Sequence, residues 1–348
     1  MNTLQNPGQR GHQRRAHWMV VSGLLCLSLL GSPLMVLAQD KPETSSEATV
    51  NNSSLSAPLF YQLLLGELNV TAGEPGTAYS LILDAARKQE DPLLYRRAVD
   101  IALEARSGEA ALAAARAWSQ AIPASTDADR FELQILLALN RVTETGPVLR
   151  KLVERAPAAN RNDAINSIPQ IFSRVPDRAL ALKVVREALA PSLKSPAHSA
   201  AAWTTIGFME LADNQLPQAL TSARSGHAAE PASAFPALLA LELMERGQGA
   251  AEAVVSGQLK ASPPTAGGSP IVAMAYARIL FDLQRNAEAL VQLDQLTRLQ
   301  PEVMEPWLLL ATLQVQSNRL PAATQSLQTY MGLARQAGDA RAARGLTQ

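Results

Sequence analysis

Five prolines stand on one lattice, and few folds can satisfy it. Pro123, Pro157 and Pro191 are each 34 residues apart, Pro231 follows 40 later, and Pro301 lies 70 beyond that, close to two further periods. A proline just past a helix end stops the helix, because it has no N–H to donate. Regular stops in the mid-thirties mark stacked helical pairs, each too small to bury its own apolar face. Composition agrees: the 348 residues are 47% apolar but only 4% aromatic, with Ala and Leu dominant, which favours helix. Strand formers never alternate over a convincing run, so the expected class is all-α.

With those prolines at position 32 of a 34-residue unit, other positions align. Position 20 is Ala111, Thr145, Ala179, Ala219, Ala289 and Ala323, small each time. Position 4 is Tyr95, Trp203 and Trp307, and position 8 is Gly66, Gly207 and Ala311. Pro217 and Pro321 fall in the first turn of a second helix, where a missing N–H costs nothing. Asn214 and Asn318, just before them, suit the turn between helices. The series Trp203, Ile206, Gly207, Ala219, Pro231, repeated as Trp307, Leu310, Ala311, Ala323, Leu327, resembles the tetratricopeptide repeat (TPR). That resemblance implies a right-handed TPR superhelix, an α-solenoid of helix-turn-helix repeats. Packing explains the pattern: small residues let two helices approach, and the bulky one fills the space between units.

An array of seven to eight repeats is expected over residues 58–337, running from Leu59–Asp91 to Pro270–Val303 and on to Met304–Ala337. Three units match poorly. Pro169 should kink the first helix of the fourth, Gly146-Pro147 should interrupt the second helix of the third, and the sixth ends in the loop SPPTAGGSP. Extra residues around Ser192–Ala197 are expected to let the two halves bend against each other. Residues 338–348 read as the start of a further, truncated repeat.

The N-terminus reads differently. Arg10, Arg14 and Arg15 precede the apolar run Met19–Leu30, and Val36-Leu37-Ala38 supplies the small residues a signal peptidase needs. Residues 1–38 are therefore expected to be a signal peptide cut after Ala38, which implies an exported, periplasmic protein. Cys26, the sole cysteine, lies within the apolar run behind Leu25 and makes no lipobox, so the sequence offers no lipid anchor. Its loss with the signal would leave no thiol and no disulfide. Residues 39–57 read as a flexible polar leader. The chain from Gln39 carries 28 basic and 31 acidic side chains and no basic stripe, so no nucleic-acid partner is expected.

Chemistry is sparse. Beyond the signal only His198 and His227 remain, with no carboxylate cluster or metal-ligand spacing near either. No nucleophile elbow, P-loop or dinucleotide fingerprint occurs, so the expectation is no enzyme, no catalytic residue, no metal and no cofactor. In TPR arrays the groove is lined by first-helix positions 2, 5, 9 and 12. Carried onto this chain, they point to Arg96, Asp100, Arg130 and Gln134 in the N-terminal half, and to Phe208, Leu211, Met274, Arg278, Phe281, Leu308 and Val315 in the C-terminal half. The alternative is that the charges are solvated and the apolar groups pack between helices. The Lys/Asn clamp of chaperone-binding TPR domains is absent from these positions.

The openings LFYQLLLGELNVTAG and DPLLYRRAVDIALEA resemble the start of large proteobacterial envelope TPR proteins. Some of these are outer-membrane lipoproteins that partner carboxy-terminal processing proteases and bring them cell-wall hydrolases; this chain departs from them in lacking the lipobox cysteine. The resemblance implies a protein-binding scaffold or adaptor with protein or peptide partners in the periplasm. Two alternatives stay open: a TPR subunit of an envelope polysaccharide synthesis or export assembly, and an accessory enzyme domain lost with a missing C-terminus. Repeat number sets neither the partner nor the oligomeric state.

Overall fold

A computed structural model describes residues 55–264 and 270–345, with side chains to 338. The expected signal peptide, most of the leader and part of the Ser262–Pro270 loop lie outside the described residues. Within them the chain is all-α, with seventeen helices packed in consecutive pairs. The pairs are α1 (Ala57–Thr71) with α2 (Pro75–Gln89), α3 (Pro92–Glu104) with α4 (Gly108–Ala121), and α5 (Thr126–Ala138) with α6 (Thr145–Arg155). A broken first helix, α7 (Arg161–Asn166) and α8 (Ile168–Ile171), precedes α9 (Arg178–Leu193), which packs on α6 and on the helix that follows it. Then come α10 (Ser199–Ala212) with α11 (Leu216–Ala229), and α12 (Ala234–Glu245) with α13 (Glu252–Ala261). The last are α14 (Pro270–Asp282) with α15 (Asn286–Leu299), and α16 (Met304–Gln316) with α17 (Leu320–Gly345). This is an α-solenoid of helix-turn-helix pairs, the architecture that the resemblance to TPR repeats implied.

One backbone turn recurs in seven pairs. Gly73, Arg106, Asn140, Asn214, Gly247, Gln284 and Asn318 all have φ between 55° and 83°. Each N–H bonds back to the helix it ends, as Asn214 N–H does to Leu211 O at 3.1 Å, and the next N–H reaches one residue deeper, as Gln215 N–H does to Glu210 O at 2.8 Å. The two bonds satisfy carbonyls the helix end would otherwise orphan. Asparagine adopts this left-handed conformation readily; arginine and glutamine do so at a cost of about 1–2 kcal/mol. The second helix then starts on a fixed heading, and Pro217 at its first turn forfeits no bond.

Close approach explains the small residues. A Cβ on Gly207 would collide with Leu239 Cδ2 and lie 3.2 Å from Ser222 Cβ, and one on Gly66 would lie 2.6 Å from Ile82 Cδ1. Ala111, Thr145, Ala219, Ala289 and Ala323 are all buried at the crossing of paired helices. Tyr95 stacks on Trp118 at 6.4 Å, and Trp118 leans on Phe131 at 5.9 Å, which joins two pairs through aromatic faces. Trp307 is half-buried and donates its indole N–H to Pro301 O at 2.8 Å.

The fourth pair departs from the lattice. Pro169 breaks the first helix as expected, and the segment opens with a 3₁₀ turn at Ala158–Asn160. The result is a two-residue slip: α9 begins at Arg178, Ala181 is buried, and Ala179 is exposed. Pro191 therefore lies in the last turn of α9 rather than beyond it, which corrects its reading as a stop. Gly146-Pro147 does not interrupt α6 either; it sits in the first turn, after a 3₁₀ entry at Val142–Glu144.

Nor does the Ser192–Ala197 linker part the array. Asn162 donates to Ala197 O at 3.2 Å and pairs with the His198 ring at 2.8 Å, and Thr205 donates to Ile165 O across the same junction. One apolar core runs through it from Ala78 to Met209, and a second from Leu211 to Leu313, so the change of core falls within α10. At the far end α17 continues to Gly345, so residues 338–345 extend that helix instead of opening another unit.

Two acids interrupt the apolar pattern. Asp129 stands at position 4 of its unit, where other units place Tyr95 or Trp307, and its side chain is fully buried. It accepts from Ser119 Oγ at 2.9 Å, Lys151 Nζ at 2.7 Å and Arg155 Nη1 at 2.5 Å. Glu210 in α10 accepts from Arg186 and Ser222, both at 2.6 Å. Nearer the surface, Arg141 grips Glu144 through both carboxylate oxygens and Arg116 adds a third bond. Those donors hold the Glu144 carboxyl down to about 2, from an ordinary 4.5.

Three outcomes follow from this packing. Gly207→Val should destabilise the chain by about 1–3 kcal/mol, because the overpacked contact has no slack; thermal unfolding against Gly73→Ala will separate the clash from left-handed strain. Asp129→Ala should cost about 3–5 kcal/mol by leaving two cations facing a void, measured by urea unfolding. The depressed Glu144 carboxyl stabilises the folded chain fully above about pH 5, and that contribution is lost as pH falls towards about 2. Glu144→Gln should therefore lower Tm at pH 7 and flatten the decline between pH 5 and 2 relative to the parent.

Candidate functional site

Clefts lie between successive first helices, over the second helix between them. The larger is about 650 Å³ and lies between α5 and the broken α7–α8. Its floor is Leu133, Leu149, Val153 and Ile168, all buried. Its rim carries Arg130, Gln134, Asn160 and Ser167. The break before Pro169 lies along this wall, which Ile168 and Ile171 of α8 complete. Arg155 also faces the cleft but is bound to Asp129, whereas Arg130 has only Asp127 at 3.4 Å, with both side chains about two-thirds exposed. An ion pair so exposed is worth little.

A second cleft of about 360 Å³ lies between α14 and α16, lined by Met274, Ala275, Leu296, Val303 and Pro306. Arg278 stands at its edge in an ion pair with Glu305. Glu305 thus places an acid in the lining of this cleft.

The residues expected to line one groove therefore divide. Arg130 and Gln134 share the larger cleft, and Met274 and Arg278 the smaller. Arg96 and Asp100 face each other along α3 at 4.0 Å, and the Arg96 guanidinium lies 6.0 Å from the Phe131 ring centre, outside both clefts. Phe208 and Phe281 are half-buried against the second core, and Leu211 is 2% exposed, a core residue; these three pack between helices. Leu308 and Val315 are exposed.

Sequence reasoning missed the Ala164, Asn160 and Ile171 wall of the larger cleft, because it comes from the kinked unit whose phase had slipped. The signal available was Pro169 itself, since a broken first helix must uncover part of its neighbour. It also missed Asp129, legible as an acid at a position that other units reserve for an aromatic.

Among the described residues no group of three or more His, Cys, Asp or Glu could hold a metal, and no helix is long and apolar enough to cross a membrane. His198 is engaged with Asn162, and the His227 ring packs over the bare Cα of Gly257. In a second electrostatic cluster Arg285 binds Glu252 and Glu288, which holds both carboxyls below their usual range. Burial, with the hydrogen bond to Glu252, pushes the Tyr276 hydroxyl up to about 12. This cluster ties helix pairs together and opens on neither cleft.

No protein-family model matches the chain, and no curated protein matches it in sequence. Among solved structures, a double mutant of MamA RS-1 is similar at 13% identity and a TM-score of 0.37, over 50% of this chain and 95% of that one. Yeast Tom70 is similar at 12% identity and a TM-score of 0.33, over 78% of this chain and 68% of that one. Likenesses at this level carry no function, and the repeat architecture rests on the helix pairs described above.

Proposed function

We propose that the chain is a non-enzymatic scaffold that binds protein or peptide partners through the clefts along its first helices. The observation that carries this reading is the larger cleft, with an apolar floor and a polar rim that carries the exposed amides of Gln134 and Asn160. A surface that anchors an apolar side chain and orients it with a few polar groups suits recognition of a protein segment. The extended face of a solenoid adds room for contacts spread over several units.

The proposal includes place and partner. The basic stretch and apolar run at the N-terminus support export to a bacterial periplasm, with cleavage after Ala38. The resemblance of the first two units to envelope TPR adaptors supports a role in presenting substrates to a processing protease, cell-wall hydrolases among them.

A C-terminally tagged full-length chain, expressed in a Gram-negative host and cross-linked in the envelope, tests this. The recovered protein should begin at Gln39 by N-terminal sequencing, and mass spectrometry should find a processing protease or peptidoglycan hydrolases. Arg130→Glu should cut that recovery several-fold, because a rim charge steers and registers a partner; Arg96→Glu tests the neighbouring face of α3. Recovery of polysaccharide synthase or export-channel subunits would replace the adaptor role with the assembly role. A chain that binds no protein would sink the scaffold reading.

A further inference from the structure

We infer that the cleft between α5 and α7–α8 selects a peptide segment in which one bulky apolar side chain stands directly beside a carboxylate. The inference rests on the scaffold reading and narrows it to one site and one chemistry. Four observations carry it. The floor is apolar and about 650 Å³ of space lies above it, within the roughly 300–1,000 Å³ of pockets that take whole side chains or small ligands. None of its lining residues is acidic, while two are arginines. Of these, Arg155 is committed to the buried Asp129, and Arg130 is held only by an exposed aspartate at 3.4 Å. Arg130 is thus the more weakly held cation of the two, and its planar fork favours a two-pronged pair with an incoming carboxylate.

The fourth observation concerns what else the occupant must supply. Gln134 on α5 and Asn160 at the entry to α7 stand on opposite walls, each with an exposed amide that donates and accepts. A peptide backbone offers both a donor and an acceptor at every residue. A fatty acid, the other ligand with an apolar body and a carboxylate, offers one head group and so fewer partners for the two amides. The smaller cleft lacks this selectivity, because its own lining includes the Glu305 carboxylate beside Arg278.

A positional-scanning library of synthetic hexapeptides, screened against the purified full-length chain, tests the inference. The bound pool should be enriched in Phe, Leu or Met next to Asp or Glu. Arg130→Glu should remove the acidic preference. Ala164→Phe, which fills the cleft, should weaken the best peptide by about tenfold or more, whereas Arg278→Glu should leave it unchanged. Should Ala164→Phe disturb folding by circular dichroism, Ile171→Asp, at a position 41% exposed, puts the same question without touching the core. A pool without that pairing, or one indifferent to Arg130→Glu and to filling of the cleft, would overturn the inference. So would displacement of the peptide by decanoate at lower concentration, which would make the site one for lipid. Cross-linked partners retained by both variants would overturn this cleft and leave the scaffold reading standing, whereas recovery of no partner overturns the scaffold itself.

Discussion

The arrangement depends on one backbone event repeated along the chain: a first helix ends, a single residue turns left-handed, and two N–H groups fold back onto the last carbonyls. Without that turn the second helix would have no fixed heading, and the small residues would not face their partners. The turn tolerates Asn140, Asn214 and Asn318 easily and Arg106 and Gln284 at a cost. That cost is repaid by the apolar surface buried when the paired helices meet at Gly66, Ala111, Gly207 or Ala219.

The fourth pair shows what happens when the event fails. It has no left-handed residue between its helices, its first helix is broken at Pro169, and its second helix is displaced by two residues. The neighbouring third unit carries the unusual buried Asp129, clamped by Lys151 and Arg155 from α6. The clamp spends one of the two cations at the edge of the opening and leaves the other more weakly held. Irregular packing and a polar rim over an apolar floor thus fall at one place, where a partner segment has most to gain.

Much of the architecture was legible because its determinants are local or periodic. Prolines mark helix ends, and Asn214 and Asn318 mark the turns. Trp203, Gly207 and Ala219 mark one unit by spacing alone. The two-residue slip was not legible, because Ala179 and Ala181 are equally small and only contact with the displaced α9 decides which is buried. Of the groove residues, Arg130 and Gln134 proved to share a cleft, as did Met274 and Arg278. Phe208, Phe281 and Leu211 belong to packing, because their helices rotate those positions towards the second core.

By itself the sequence determined that this chain is all-α, built of helical pairs, free of strand periodicity and furnished with an export-like N-terminus. Those properties follow from backbone chemistry and hydrophobic spacing, which act over one or two turns. Only the tertiary structure decided that Asp129 is a buried ionic plug, that Glu305 enters the smaller cleft beside Arg278, and that a cleft opens between α5 and α7–α8. Each of those depends on groups from different helices, such as Asp129 with Lys151 or Arg278 with Glu305. Such pairings are set by how helices pack rather than by any spacing along the chain.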